Sequence, residues 1–327
     1  MKFLIAGFGS IGRRHMRNLL ALGEKDIVLY RTRKSTLDDA ELADFPVETS
    51  LDAALAHQPD AVIIANPTAL HLDVAIPAAQ AGCAILMEKP VSHSLERLDA
   101  LDGSKVLVGF QFRFHPGLRK LAELLKSDAI GRPLAVHAHW GEYLPNWHPW
   151  EDYRQSYSAR ADLGGGVVLT LSHPLDYLRW LLGEVGSLWA FAGHFSDLEV
   201  QVDDLAEIGL RFASGAVGGL HLNYIQQPPV HRLEIAGSRG TLAWDNADGA
   251  ARLYRADFGA WETFAPPPGF ERNDLFLAEM RHFIDVARDA AAPLCTLQDG
   301  IQAMRLALAV HQSANAGRVV DLSPLGM

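Results

Sequence analysis

The residues best equipped for chemistry are Glu88-Lys89-Pro90, an acid, a base and a proline that end the apolar run Ile85-Leu86-Met87. An apolar run of strand length that stops at charge reads as a buried parallel strand. The carboxyl ends of such strands are where open α/β sheets hold ligands. Pro90 disfavours the helical region for Lys89 and so directs the lysine out of the strand, and a cis Lys89–Pro90 bond is compatible with this. A lysine so placed can orient a substrate hydroxyl or, if partly buried, accept its proton. Alone, the tripeptide would be an ordinary strand end, so the elements around it decide.

The first of these elements lies at the amino terminus. Phe3-Leu4-Ile5-Ala6 runs into Gly7-Phe8-Gly9-Ser10-Ile11-Gly12 and then into a helical pattern carrying Met16, Leu19, Leu20 and Leu22, stopped by Gly23. Strand, glycine turn and helix in this order make a dinucleotide site. Gly7 allows the tight turn, Gly9 lets a pyrophosphate approach the backbone, and Gly12 lets helix and strand pack closely. A second strand, Ile27-Val28-Leu29-Tyr30, would deliver an acid to an unphosphorylated ribose, but Arg31-Thr32-Arg33-Lys34 stands there instead. Arginine forks at Arg31 and Arg33 suit a 2′-phosphate, so NADP is expected in preference to NAD.

Strand and helix then alternate. A helix near 51–57 and the strand Ala61-Val62-Ile63-Ile64-Ala65 lead into Asn66-Pro67-Thr68, and a helix follows over 70–81. The strand ending at Glu88 and a last strand, Val106–Phe110, complete a parallel, doubly wound sheet. Asn66, His71, Lys89 and Gln111 thus fall near strand carboxyl ends on one sheet edge.

Gly7–Gly12, Asn66-Pro67-Thr68-x-x-His71, Glu88-Lys89-Pro90 and Gln111-Phe112-Arg113-Phe114 together resemble the glucose-fructose oxidoreductase / inositol dehydrogenase (Gfo/Idh/MocA) family. The likeness covers most of the chain. It implies an N-terminal Rossmann domain, expected over 1–115, and an α+β domain over 116–327 with a large, mostly antiparallel sheet. It also implies that Asn66, Thr68, His71, Glu88, Lys89 and Gln111 join the glycine turn at the nicotinamide cofactor, with Lys89 and Arg113 at the substrate.

In the second half, a helix from His115-Pro116 to about Lys126 and a strand over 134–143 lead into an irregular loop, 145–162. This region concentrates Tyr143, Trp147, Tyr153 and Tyr157 beside Arg154. Flat apolar faces with polar tips suit a sugar ring, and they suit a subunit contact or loop packing equally well. His137, His139 and His148 lack a carboxylate set in register, so no metal is expected. Gly164-Gly165-Gly166 leaves backbone open to a ligand, and Pro174 fits the start of a helix. The resemblance implies that His173 joins Lys89 at the reacting hydroxyl and that Asp176 lies beside it. One departure stands out: many family dehydrogenases carry an aspartate four residues before that histidine, where this chain has Leu169. Further strands are expected at 187–196, 205–212, 216–224, 232–236 and 241–244, and helices at 274–290 and 298–316.

The bulk composition agrees with an α/β enzyme. The 327 residues suggest about two domains, and a net charge of −10 with no basic patch disfavours nucleic acid. Cys83 and Cys295 are the only cysteines, which excludes a disulfide framework and fits a reducing cytoplasm. The apolar amino terminus is too short for a signal peptide or membrane span. The expected activity is NAD(P)-dependent hydride transfer at a hydroxyl or keto carbon of a sugar, sugar derivative or cyclitol. The expected assembly is a homodimer or homotetramer formed through the C-terminal sheet. The alternatives are a glycosidase that borrows the nicotinamide transiently and a non-enzymatic sensor on the same fold.

Overall fold

Short apolar runs build most of the first sheet. In the computed structural model, which describes residues 1–32 and 40–322, β1 (Lys2–Ala6), α1 (Ser10–Ala21), β2 (Asp26–Tyr30) and β3 (Val47–Glu48) come first. They are followed by α2 (Leu51–Ala56), β4 (Ala61–Ile64), α3 (His71–Gln80), β5 (Ala84–Glu88) and β6 (Val106–Gly109). The order is β3-β2-β1-β4-β5-β6 and all pairs are parallel. This is the doubly wound arrangement, whose strand order reverses beside β1. Burial on both faces explains why β4, β5 and β6 lack alternation and read as continuous apolar runs.

The second sheet follows α4 (Pro116–Lys126), where Pro116 takes the first turn and the His115 Nδ1 accepts from Gly117 N at 3.0 Å. Its elements are β7 (Pro133–Tyr143), α5 (Val167–Thr170), α6 (His173–Leu182), β8 (Val185–Gly193), β9 (Leu205–Phe212), β10 (Val217–Asn223) and β11 (Ile225–Gly237). The remainder are β12 (Gly240–Asp245), β13 (Ala251–Arg255), β14 (Ala260–Phe264), α7 (Arg272–Ala287), α8 (Leu297–Ala316) and β15 (Val320–Asp321). Among the described residues the nine strands run β14-β13-β12-β11-β7-β10-β9-β8-β15, and only β7 and β10 pair in parallel. In β9, Ala206, Ile208, Leu210 and Phe212 are buried while Glu207 and Arg211 are exposed, the alternation expected of a sheet with one packed face. Helices α4, α5 and α6 contact strands of this sheet.

The chain forms two compact units that are not continuous in sequence. One holds Met1–Gln111, Asp162–Gly164 and Glu271–Met304; the other holds Phe112–Ala161, Gly165–Phe270 and Arg305–Met327. The first boundary falls just before the expected division at 115/116, but α7 returns to the first unit. There it packs on α1, β5 and β6, with Asn273 Nδ2 donating to Asn18 Oδ1 at 2.9 Å. Four strands were not legible beforehand: β3 and β15 have two residues each, β14 is an exposed edge, and β13 pairs with that edge. The expected irregular loop is a run of 3₁₀ turns at Leu144–Asn146, Tyr153–Gln155, Tyr157–Ala159 and Ala161–Leu163.

Candidate active site

In the first unit the glycine turn is shaped by contacts that no side chain could share. A Cβ on Gly7 (φ +92°) would stand 2.4 Å from Asn66 N, and one on Gly12 would stand 2.1 Å from Gly7 O, whereas one on Gly9 would meet nothing within 4 Å. Gly7 and Gly12 therefore close the β1–α1 packing, and Gly9 leaves the open ground. Gly9 is also the N-cap of α1, and no side chain caps that helix. Its first-turn amides and the positive end of its dipole suit a pyrophosphate, so these residues fit a dinucleotide. Phe8 is buried, while Ser10 and Ile11 begin the helix.

Arg31 follows β2 and is buried, with its backbone N–H on Glu48 O at 3.0 Å. The expected partner Arg33 lies outside the described residues. Asn66 follows β4, and its Nδ2 donates to Leu70 O at 3.0 Å. Thr68 and His71 are buried, and His71 Nε2 donates to Asn66 O at 3.0 Å. Burial pushes the His71 imidazole down, against the opposite pull of the backbone of Asn66, Pro90 and Val91 and the charge of Glu88. Gln111 comes two residues after β6 and is buried. The sheet edge inferred from the sequence is thus observed within this unit.

Lys89 leaves β5 as expected, and the Lys89–Pro90 peptide is cis. Glu88, expected among the cofactor residues, is held from α1: its Oε1 accepts from His15 Nε2 at 2.7 Å. Burial by itself would raise the Glu88 carboxyl; the bond from His15, with the charges of His15, Lys89 and His71, outweighs burial and holds it below the usual carboxylate range. His15 was missed by the sequence reading, although its place beside Met16 and Leu19 on the buried face of α1 was an available signal.

The second unit gathers its polar groups in an aromatic box. His173 begins α6 and is buried; its ring lies edge-on to Phe112 at 4.9 Å and tilted against Trp140 at 5.5 Å. His231 stacks on the same Trp140 at 4.3 Å, with an interplanar angle of 1°, and meets Tyr177 Oη at 3.2 Å. Arg113 and Asp176 form a buried bidentate pair, Nε to Oδ2 at 2.9 Å and Nη2 to Oδ1 at 2.6 Å. The pair pins the first turn of α6 to the segment after β6, so both residues hold His173 in place before they could meet a substrate. Leu169 lies on α5 and is buried, so the position of the family's aspartate is apolar.

The three glycines correct an expectation. A Cβ on Gly164 (φ +82°) would press on Thr68 Cβ at 3.0 Å; one on Gly165 would meet the carbonyl of Tyr157 at 2.4 Å; one on Gly166 (φ +108°) would meet Asp203 Oδ1 at 2.4 Å. Protein, rather than a ligand, occupies their open faces. Asp203 caps α5, accepting from Val168 N at 2.9 Å. The loop aromatics divide: Tyr143 ends β7, Trp147 lies edge-on to Tyr224 at 5.5 Å, and Tyr157 is exposed. Tyr153 Oη accepts from Glu199 N at 3.1 Å, and Arg154 is exposed and tied to Asp152 at 2.8 Å and Glu199 at 2.5 Å. Among the described residues no group of three or more His, Cys, Asp or Glu side chains could hold a metal.

Comparison with known proteins decides the family. Residues 1–103 match the model of the oxidoreductase family with an NAD-binding Rossmann fold, and residues 118–243 match the GFO/IDH/MocA C-terminal domain. The chain belongs to the Gfo/Idh/MocA oxidoreductases. Among similar Gfo/Idh/MocA proteins, the myo-inositol 2-dehydrogenase of Thermotoga maritima is 27% identical over 348 residues, covering 98% of each chain. The D-xylose 1-dehydrogenase (NADP(+)) 2 of Haloferax volcanii is 26% identical, covering 98% of this chain and 100% of its own. A levoglucosan dehydrogenase solved in complex with NADH superposes with a TM-score of 0.87 over 99% of this chain and 100% of that one. At 21% identity that likeness speaks for the fold. As a Gfo/Idh/MocA protein the chain is an NAD(P)-dependent oxidoreductase with a parallel Rossmann sheet and a mostly antiparallel second sheet.

Proposed function

We propose that this oxidoreductase is a dehydrogenase of a sugar, sugar derivative or cyclitol, in which Lys89 and His173 act on the reacting hydroxyl. The observation that carries the proposal is the carboxyl edge of the first sheet, where the open backbone at Gly9 and the exit of Lys89 from β5 accompany a glycine turn that fits a dinucleotide. The relatives' names, a myo-inositol dehydrogenase and a D-xylose dehydrogenase among them, support the substrate class.

The nicotinamide, when bound, supplies hydride transfer. The chain supplies position and proton handling. Gly7 to Gly12 and the α1 amides hold the pyrophosphate, and Asn66, Thr68, His71 and Gln111 complete the cofactor edge. Arg31 stands at the end of β2, where a fork pairs with a 2′-phosphate, so NADP is the preferred cofactor. His173, an imidazole able to accept a proton, takes the hydroxyl proton. The Lys89 ammonium orients the same oxygen and stabilises its developing charge. With Leu169 in place of an aspartate, no carboxylate four residues upstream assists His173.

Self-association through the open face of the second sheet is part of the proposal, because β8 exposes Trp189 and Phe191 there. So is a cytoplasmic location: the two cysteines are free and buried, and no described helix is long and apolar enough to cross a membrane.

A thermal-shift screen of sugars and inositols with NADP or NAD, followed by nicotinamide absorbance on each hit, tests the function. A ligand at 100 times its dissociation constant stabilises by about 2.7 kcal/mol. A cyclitol or sugar that shifts melting and changes absorbance is expected. Hits that bind without net absorbance change would point to the transient-redox glycosidase instead, and a larger shift with NAD than with NADP would overturn the role of Arg31.

A further inference from the structure

Behind the Glu88-Lys89-Pro90 turn lies an acid that hydride transfer does not use. Glu279, on α7, is 0% exposed, and neither carboxyl oxygen has a hydrogen-bond partner. Its helical neighbours Leu275, Phe276, Met280 and Phe283 are buried as well. An ionised carboxylate in such surroundings would lose its hydration with nothing in return, whereas the neutral acid loses far less. Helix α7 packs against α1, β5 and β6. From β5 the facing charge is Glu88, from α1 they are His15 and Arg14, and β6 (Val106–Gly109) offers no titratable group. Arg14 lies over the Phe276 ring at 4.4 Å with Arg272 nearby, and Lys89 and His71 act on Glu88 as well.

Two carboxyls, Glu88 and Glu279, therefore share one buried region, and only Glu88 has a bonded partner in His15. Like charges so placed cannot both ionise cheaply. Burial pushes the Glu279 carboxyl well above the usual range and the charge of Glu88 pushes it the same way, while Glu88 is held low.

We propose that Glu279 is a positioning residue for Lys89: it stays a protonated acid, so Glu88 remains the single buried carboxylate behind the lysine, bonded to His15 and holding the Lys89 turn. The inference rests on the assignment of Lys89 to the reacting hydroxyl. At alkaline pH Glu279 loses its proton, the two carboxylates repel, Glu88 shifts from His15, and turnover falls.

Three measurements on the full chain test it. The infrared spectrum of the wild type should retain the carbonyl stretch of a protonated carboxylic acid at neutral pH, and Glu279→Gln should lack it. Urea unfolding should read the same proton without turnover. The folded state binds one proton more than the unfolded chain above the ordinary carboxyl pKa, so stability falls as pH rises. The unfolding constant grows up to about tenfold per pH unit until Glu279 itself ionises, and Glu279→Gln removes that slope. The pH profile of kcat should lose its alkaline limb in Glu279→Gln, with kcat near neutrality within about threefold of wild type and KM unmoved.

Absence of the acid band in the wild type overturns the inference, and that measurement needs no variant to fold. A band that is present with an unchanged alkaline limb in Glu279→Gln overturns the positioning role. Full turnover in Lys89→Ala would sink the underlying assignment of Lys89 instead, and the infrared and unfolding results would still report the proton on Glu279.

Discussion

The two units hold their functional groups in opposite ways. In the first, the groups stand at the ends of successive parallel strands, each a few residues from a glycine, proline or apolar run that fixes it: Gly9 after β1, Asn66 after β4, Lys89 after β5, Gln111 after β6. In the second, His173 owes its place to residues distant in sequence, with Phe112 and Trp140 against its ring and the Arg113–Asp176 pair beneath its helix turn. A strand end is a local object, and a box of aromatic rings exists only after the sheet has formed.

The largest expected effect comes from the two groups that represent these modes. Lys89→Ala and His173→Ala should each lower kcat by about 10²- to 10⁴-fold, the range for a lost proton-handling group. Steady-state kinetics on a substrate identified by the screen checks this, and near-normal turnover in both variants would remove the proposed site. Arg113→Leu asks whether the second unit's box depends on its buried ion pair. Taking the guanidinium partner from the buried Asp176 carboxylate should cost about 3 to 5 kcal/mol in chemical denaturation; a loss under 1 kcal/mol would show that the aromatic packing alone suffices.

A smaller effect should appear with acid. His115 caps α4 and lies stacked with Phe112, and burial lowers its pKa to about 4 against an ordinary 6.5. The unfolded chain takes up the proton first. The contribution of neutral His115 is therefore complete above pH 6.5 and is lost as pH falls to about 4. Denaturation midpoints should decline over that window, and His115→Asn, which keeps a side-chain acceptor for the cap, should flatten the decline. The smallest effect is expected at the surface of the second unit. Arg154→Ala should change KM less than about threefold, because the exposed ion pairs with Asp152 and Glu199 are of the kind worth under about 1 kcal/mol. A tenfold rise in KM would return Arg154 to the substrate.

The same contrast governs what was legible beforehand. Gly7 to Gly12 and the strand end at Lys89 were readable because each role follows from a backbone requirement of a few consecutive residues. The partner of Glu88 was not legible, because the tripeptide shows only that an acid ends the strand, and the bond to His15 joins residues 73 apart in sequence. The Gly164–Gly166 run looked like room for a ligand, since a missing Cβ says nothing of what fills the space; Thr68, the Tyr157 carbonyl and Asp203 fill it. The ties of Arg154 and Tyr153 to Glu199, 45 and 46 residues further along the chain, had no signal in the sequence.

By itself, then, the sequence determined the doubly wound sheet, the dinucleotide turn and the place of Lys89, because alternation, glycine spacing and proline act over distances shorter than an element. Tertiary structure alone decided that α7 returns to the first unit, that His15 and Glu279 accompany Glu88 in its core, and that Phe112, Trp140 and His231 stand together near His173. The physical reason is burial. Which polar groups must share a solvent-free space is set by segments up to hundreds of residues apart, and no local pattern carries that information.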